Sequence, residues 1–195
     1  MGKSNIKRSY PAVFLDRDGT VIHDKNYLGD PDKVILYKHS ANCINKLRKA
    51  GFKIIIITNQ SGVARKMFGE KEVKAVNKRV LELLKKQDAK IDGLYYCPHG
   101  DEDKCNCRKP KIGMALKAAK EHNIDLKRSY TVGDSVRDYI FGNNSGGKGV
   151  LVLTGHGKKQ QKKVRDQKIK PLAVCKSIKQ ATELITNDFK KSGNL

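Results

Sequence analysis

Aromatic residues make up only 6% of the 195-residue chain, and no basic stripe interleaved with them occurs. The stacking surfaces that nucleic-acid-binding modules use are therefore poorly represented. No apolar run approaches membrane-spanning length. The basic start MGKSNIKRSY runs into PAVFLDRDGT, too short and too charged for a signal peptide. Ile6 stands where a myristoylation signal on Gly2 wants Ser or Thr. Together these absences lead us to expect a cytoplasmic protein. Acidic residues are scarce too, 20 against 41 Lys plus Arg, which leaves a formal net charge of +21. A field of that sign draws anions, whether nucleic acid, a membrane surface or a phosphorylated metabolite. The lysines are spread along the chain, however, and read first as a solvated surface. Cysteines number five, an odd count that in a reducing compartment argues for metal binding over a disulfide framework. Cys43 and Cys175 then remain as small apolar residues.

The length suits one domain, 1–195. Short apolar runs rich in β-branched residues recur at Ala12–Asp16, Lys53–Asn59, Gly93–Pro98, Ser129–Asp134 and Gly149–Gly155, and predict buried strands. Helical spacing lies between them, as in Ala41, Ile44, Leu47 and in Val73, Val76, Val80, Leu84. Such alternation predicts an α/β fold, a Rossmann-like α/β/α sandwich whose mostly parallel sheet carries helices on both faces. The composition shifts at Gly155–Pro171, a basic polar stretch expected to be a surface loop before a last helix around Leu172–Ile185. The motif-bearing core is thus 11–157, and 158–195 a basic loop and C-terminal helix.

Ligands of such sheets bind outside the carboxyl ends of the strands. Those ends carry Asp16 with Asp18, Thr58 with Asn59, a Cys/His cluster leading into Arg108 and Lys109, and Asp134 with Asp138. Asp16 and Asp18, two residues apart in an extended segment, point to one side, and Gly19 permits a sharp turn after them. With Asp134 they make a plausible oxygen cage for Mg²⁺. A carboxylate such as Asp16 can attack phosphorus and form an aspartyl-phosphate, with Asp18 as general acid and base. Thr58, Lys109 and the ion would stabilise the transferring phosphoryl group. Each piece alone has an ordinary reading, since Asp-x-Asp is often a turn pair and Asp134 or Ser135 could simply cap a helix. Their joint placement at successive strand ends favours phosphoryl transfer.

DRDGT, TNQSG, RKP and VGDSVRD, in this order, resemble the four motifs of the haloacid dehalogenase-like phosphohydrolases. CPHGDEDKCNCRKP and TNQSGVARKMF are similar to the branch of that superfamily holding the heptose bisphosphate and histidinol-phosphate phosphatases, and TNQSGVAR is closer to the heptose side. The resemblance covers about Ala12 to Gly157. It implies a Mg²⁺-dependent phosphomonoesterase without a large cap domain, acting on a small phosphorylated sugar. Without a cap insertion the pocket is open enough for a monomer to work, and a monomer is expected. By position the resemblance assigns Asp16 as nucleophile, Asp18 as acid/base, and Thr58 and Lys109 as phosphate stabilisers. Arg108 is implied in substrate recognition and Asp134 as the third metal carboxylate. Asp24, Lys25, Asn26 and Tyr27, with Thr58, Asn59, Gln60, Ser61 and Ser135, match substrate-contacting positions. The segment between the histidine and the last cysteine pair, GDEDK, is shorter than the family's, and YIFGNNSGGKG replaces its small-residue helix.

Cys97, His99, Cys105 and Cys107 form C-x-H-x₅-C-x-C, three thiolates and an imidazole suited to tetrahedral Zn²⁺ with no position left for water. A closed site is structural, a clip that aims Arg108 and Lys109. A competing reading takes the net charge and the Lys158 to Lys170 run as signs of a nucleic-acid end phosphatase or binding protein, whose affinity would fall steeply with salt.

Overall fold

A computed structural model of the chain describes residues 9–193. Gly2 and Ile6, on which the expectation of no acyl anchor turned, lie outside the described residues. The strands are β1 (Ala12–Asp16), β2 (Lys53–Asn59), β3 (Gly93–Cys97), β4 (Tyr130–Gly133), β5 (Lys148–Val152) and β6 (Ala173–Cys175). They form one sheet, parallel throughout, in the order β3-β2-β1-β4-β5-β6. Strands covered on both faces need no polar side, which is why the chain writes them as uninterrupted apolar runs such as IIII in β2. The helices are α1 (Ser40–Lys49), α2 (Glu70–Lys85), α3 (Gly113–His122), α4 (Val136–Asn144), α5 (Gly157–Gln161) and α6 (Ile178–Lys191).

Alternation along β1 sorts the two faces. Val13 and Leu15 pack into a core with α1, α2 and α6, whereas Ala12 and Phe14 pack with α3 and α4. Phe14 meets Phe141 of α4 edge-on, ring centroids 6.0 Å apart. Truncating such a buried ring costs about 3–5 kcal/mol, so this contact helps fix α4 against the sheet. The chain winds outward from β1 in both directions, which places a crevice between the carboxyl ends of β1 and β4. No helix among the described residues is long and apolar enough to cross a membrane.

The structure corrects the C-terminal part in two respects. Gly155–Pro171 is not a simple loop: it holds α5 and a 3₁₀ turn over Lys162–Asp166, with Val164 and Ile169 packed against the core of Val136, Tyr139 and Leu151. Two apolar anchors spaced among many cations leave no periodic signal. The helix expected from Leu172 begins instead at Ile178 and runs to Lys191, and β6 precedes it, pairing Ala173, Val174 and Cys175 with Val150, Leu151 and Val152. Three residues are too few to show a period, and their strand state comes from the neighbour they pair with.

Candidate active site

β1 ends in Asp16, which is 6% exposed, and the chain continues through the fully buried Arg17 to Asp18. Arg17 donates from Nε to Asp18 Oδ2 (3.0 Å) and from Nη2 to Asp18 Oδ1 (3.2 Å). Its Nη1 is in turn fixed on Asn77 Oδ1 of α2 at 2.6 Å. A guanidinium fork matches a carboxylate bidentately, so this pair sets the plane of Asp18. Gln60 Nε2 (3.0 Å) and Thr58 Oγ1 (3.3 Å), just past and at the end of β2, donate to the same Asp18 Oδ2. Gly19 then turns the chain at φ +79°, where a Cβ would stand 2.2 Å from Asp134 Oδ2. Only glycine allows both that backbone and that approach.

Asp134 follows β4 and accepts a hydrogen bond at Oδ2 from the His156 amide (2.6 Å). Ser135 caps α4, and Asp138 completes a capping box by accepting from the Ser135 amide at 2.9 Å. That cap aims the other oxygen of Asp138 at the site. Lys109, 3% exposed, reaches in from the loop after β3; its Nζ lies 2.5 Å from Asp16 Oδ1 and 2.6 Å from Asp138 Oδ1. Asn59 holds the Lys109 backbone from both sides, accepting from its amide at 3.0 Å and donating to its carbonyl at 3.2 Å.

Asp16, Asp134 and Asp138 each present an oxygen within 4.8 Å of the others. Burial pushes the Asp16 carboxyl well above the ordinary range; Lys109 pulls it back, and Asp138, Asp134 and Asp18 push it further up. Burial and then the Asp138 charge carry Asp134 to about 7. For Lys109, burial alone would favour the neutral amine, but Asp138 and Asp16 outweigh it and hold the ammonium above the usual lysine range. Three buried carboxylates against one ammonium form a donor set short of positive charge, which fits a hard divalent cation such as Mg²⁺.

The structure thus gathers Asp16, Asp134, Thr58 and Lys109 as the sequence predicts. Asp138 stands with Asp16 and Asp134 in the group as well, and the Asp18 carboxylate, expected as a further metal ligand, accepts hydrogen bonds from Arg17, Gln60 and Thr58. A cavity of about 540 Å³ opens over them. Asp24, Asn26, Tyr27, Asn59, Gln60, Ser61, Arg108 and Ser135 line it, and of the expected substrate positions only Lys25 does not. Asp138, expected at this edge with no role given to it, lines it too, and so do Arg137, His156, Gln160 and Lys163, which the sequence did not single out. The last three fall at helical spacing, four and three residues apart, a signal that was present in the basic segment.

Cys97 ends β3, and its Sγ lies 3.5 Å from His99 Nδ1 and 3.7 Å from Cys105 Sγ. Tetrahedral zinc with bonds of about 2.0–2.3 Å puts such donors roughly 3.5–3.8 Å apart. Cys107 Sγ sits closer, 2.9 Å from Cys97 and 3.3 Å from His99 Nδ1. All four donors converge within 4.8 Å and no cysteine is in a disulfide, so the set fits a thiophilic metal. Arg108 leaves this cluster and donates to the His99 carbonyl (3.0 Å) and Asp101 Oδ1 (2.9 Å).

A family model described as HAD-hydrolase-like matches residues 106–181. The D-glycero-beta-D-manno-heptose-1,7-bisphosphate 7-phosphatase of Pasteurella multocida is 40% identical over 161 residues, 76% of this chain and 88% of its own. The enzyme of that name from Haemophilus influenzae is 41% identical over 151 residues, 74% of this chain and 82% of its own. Among solved structures, D,D-heptose 1,7-bisphosphate phosphatase from B. bronchiseptica, complexed with magnesium and phosphate, superposes with a TM-score of 0.81 at 31% identity, covering 91% of this chain and 99% of that one.

Proposed function

This chain belongs to the D-glycero-D-manno-heptose-1,7-bisphosphate 7-phosphatase family of haloacid dehalogenase-like hydrolases, and from that premise we propose how its site works and on what. It is a phosphatase. In our reading it hydrolyses the 7-phosphate of D-glycero-D-manno-heptose 1,7-bisphosphate, the substrate in its relatives' names. The observation that carries the reading is Lys109 held against Asp16 and Asp138, with Asp134 in the same group and Thr58 beside them.

Asp16 and Asp134, with Asp138 alongside, would hold Mg²⁺, which when bound offsets their mutual repulsion and the charge of the phosphoryl oxygens. An Asp16 oxygen attacks phosphorus; the P–O bond to the sugar breaks as the Asp16–phosphorus bond forms, and the leaving oxygen takes the proton of Asp18. Asp18, now a carboxylate, removes a proton from water, which attacks the same phosphorus and frees Asp16 and inorganic phosphate. Arg17 and Gln60 fix the oxygen plane of Asp18, and Thr58, which donates to Asp18 in the free protein, turns its one hydroxyl proton to the phosphoryl group. Thr58 and Lys109 donate to the phosphoryl oxygens, and Arg108 meets the rest of the substrate. Cys97, His99, Cys105 and Cys107 would hold Zn²⁺ as a closed structural site that orders the loop carrying Arg108 and Lys109. The chain acts as one domain, with 11–157 bearing the motifs and 158–195 contributing to the pocket wall through Gln160 and Lys163.

Phosphate release in Mg²⁺ from heptose 1,7-bisphosphate anomers, histidinol phosphate and DNA bearing 3′- or 5′-phosphates tests this, with Asp16→Asn as blank. Preference for a heptose anomer, absent in the blank, supports it. Turnover confined to histidinol phosphate or to DNA ends would overturn the substrate.

A further inference from the structure

The sheet ends on one side in β3, which has β2 as its one neighbour, so alternate backbone groups of β3 face away from the sheet. The opposite edge is blunted by its shortness, since β6 has three residues. β3 has five, in unbroken register with β2 and without a charge or proline. Alternation divides its side chains between two sides. Tyr96 points to α2, where its hydroxyl donates to Glu70 Oε2 at 2.6 Å, and Tyr95 points to α3, donating to Glu121 Oε2 at 2.5 Å. On the α2 side a groove of about 440 Å³ lies between β3 and the exposed Lys74, Lys78, Leu81 and Lys85. On the α3 side a second groove of about 350 Å³ is lined by Tyr95, Pro98, Met114 and Lys117. Leu94 and Tyr96 line both grooves, and neither groove shares a lining residue with the catalytic cavity. Lys74 and Lys85 form no ion pair among the described residues, and Lys78 reaches Glu82 only at 4.0 Å.

We propose that the open edge of β3 docks an extended acidic segment of another protein, which adds to the sheet as a further strand and sets alternate carboxylates against α2. Backbone hydrogen bonds to β3 supply the affinity of such an addition, and alternate side chains supply its specificity. Lys74, Lys78 and Lys85 span about 16 Å of α2 at ~1.5 Å per residue, and the five residues of β3 reach about as far at ~3.3 Å each. Lys74 and Lys78 stand about 6 Å apart along the helix, close to the ~6.6 Å between alternate residues of a strand. A strand laid on β3 can therefore set two carboxylates against these lysines and a third against Lys85 beyond Leu81. Its intervening side chains fall on the α3 side, where Tyr95, Pro98 and Met114 favour apolar groups. Lysines that guard an edge stand on the strand itself; here they line the flanking helix and leave both the β3 backbone and Leu81, 37% exposed, open. A second copy is the poorer occupant. Antiparallel pairing of β3 with its own copy would set two such lysine rows side by side in chains of net charge +21.

The probe is a short synthetic peptide alternating Glu and Val, fluorescently labelled and titrated with the full chain at low salt, with anisotropy as the readout. A Lys/Val peptide and a scrambled peptide of the same Glu and Val content are the controls. The alternating Glu/Val peptide should bind, more tightly than either control, and its affinity should fall as salt is added. Lys74→Glu and Lys85→Glu should each weaken binding about three- to tenfold, as reversing one exposed charge allows, with phosphatase turnover unchanged. N-methylation of alternate peptide amides separates strand addition from loose charge attraction. Methyl groups on the amides that face β3 should abolish binding, those on the other set should leave it intact, and hydrogen exchange over 93–97 should slow only in the second case. No binding of the alternating peptide, equal binding of either control, wild-type affinity in both lysine variants, or the same response to both methylated sets overturns the proposal. Sedimentation equilibrium covers the remaining occupant: a dimer of the free protein that Lys74→Glu strengthens, with 93–97 protected before any peptide is added, would assign the edge to a second copy and overturn it too.

Discussion

Replacing Asp134 by asparagine should stabilise the metal-free protein, and do so more as pH rises. In the fold Asp134 titrates at about 7 rather than 3.8, chiefly because burial disfavours its charge and Asp138 repels it. A carboxyl with a raised folded-state pKa contributes stability that is whole below its unfolded pKa and is lost as pH climbs through the folded one. At about 1.4 kcal/mol per unit, wild type should lose about 2–3 kcal/mol through this group between about pH 5 and pH 8. Asparagine cannot ionise, yet its side-chain oxygen can still accept from the His156 amide. Urea unfolding of both proteins in EDTA at the two pH values should show the variant gaining on wild type by that amount. Saturating Mg²⁺ should reverse the order at the higher pH, because the ion stabilises only the protein that keeps the carboxylate. Parallel profiles in EDTA, or a deficit untouched by Mg²⁺, would refute the claim that these acids await a cation.

Three other outcomes are expected. Lys109→Met leaves Asp16 and Asp138 facing without their cation, and should abolish turnover and cost about 3–5 kcal/mol of metal-free stability near neutral pH by urea titration; a variant as stable as wild type counts against the buried pairing. Asn59→Ala frees both backbone groups of Lys109, so kcat should fall roughly tenfold to a hundredfold while Mg²⁺ affinity, measured by thermal shift, changes little. Cys107→Ala should release zinc, by metal analysis, and raise hydrogen exchange over 98–111 as activity drops; full turnover without zinc would sink the clip.

The parallel sheet was legible because every strand but β6 lies in an apolar or aromatic run long enough to stand out. The strand ends were legible too, since Asp16, Thr58, Lys109 and Asp134 carry chemistry that few surface turns need. What escaped were residues defined by three-dimensional partners. Asp138 stands near the β4 end in sequence with no role attached; only the fold reveals that it closes the capping box of Ser135 and turns its second oxygen onto Lys109. The hold of Arg17 on Asp18, itself anchored by Asn77 sixty positions further on, leaves no mark in the spacing of the motif. His156, Gln160 and Lys163 were hidden by composition: in a stretch so rich in lysine, a helical face of pocket residues reads as solvation.

The loop between β3 and α3 shows why the site needs two kinds of support. No regular element spans Pro98 to Ile112, and much of it is exposed, yet it must hold Lys109 within hydrogen-bonding reach of two carboxylates. On one side Asn59 grips the Lys109 backbone and on the other the Cys/His cluster closes just before Arg108. Either grip alone leaves the intervening residues free to move, because fixing one end of a short segment removes little of its conformational entropy. With both in place the ammonium is preorganised, and the ion pairs with Asp16 and Asp138 cost no further ordering. Asp101 extends this logic outward, joining the same loop to α4 through Arg137. The loop thus couples the edge strand β3 to the helix after β4 across the crevice where the reacting groups meet, so a change at the cysteines should be felt first as a loss of geometry at Lys109 and Arg108.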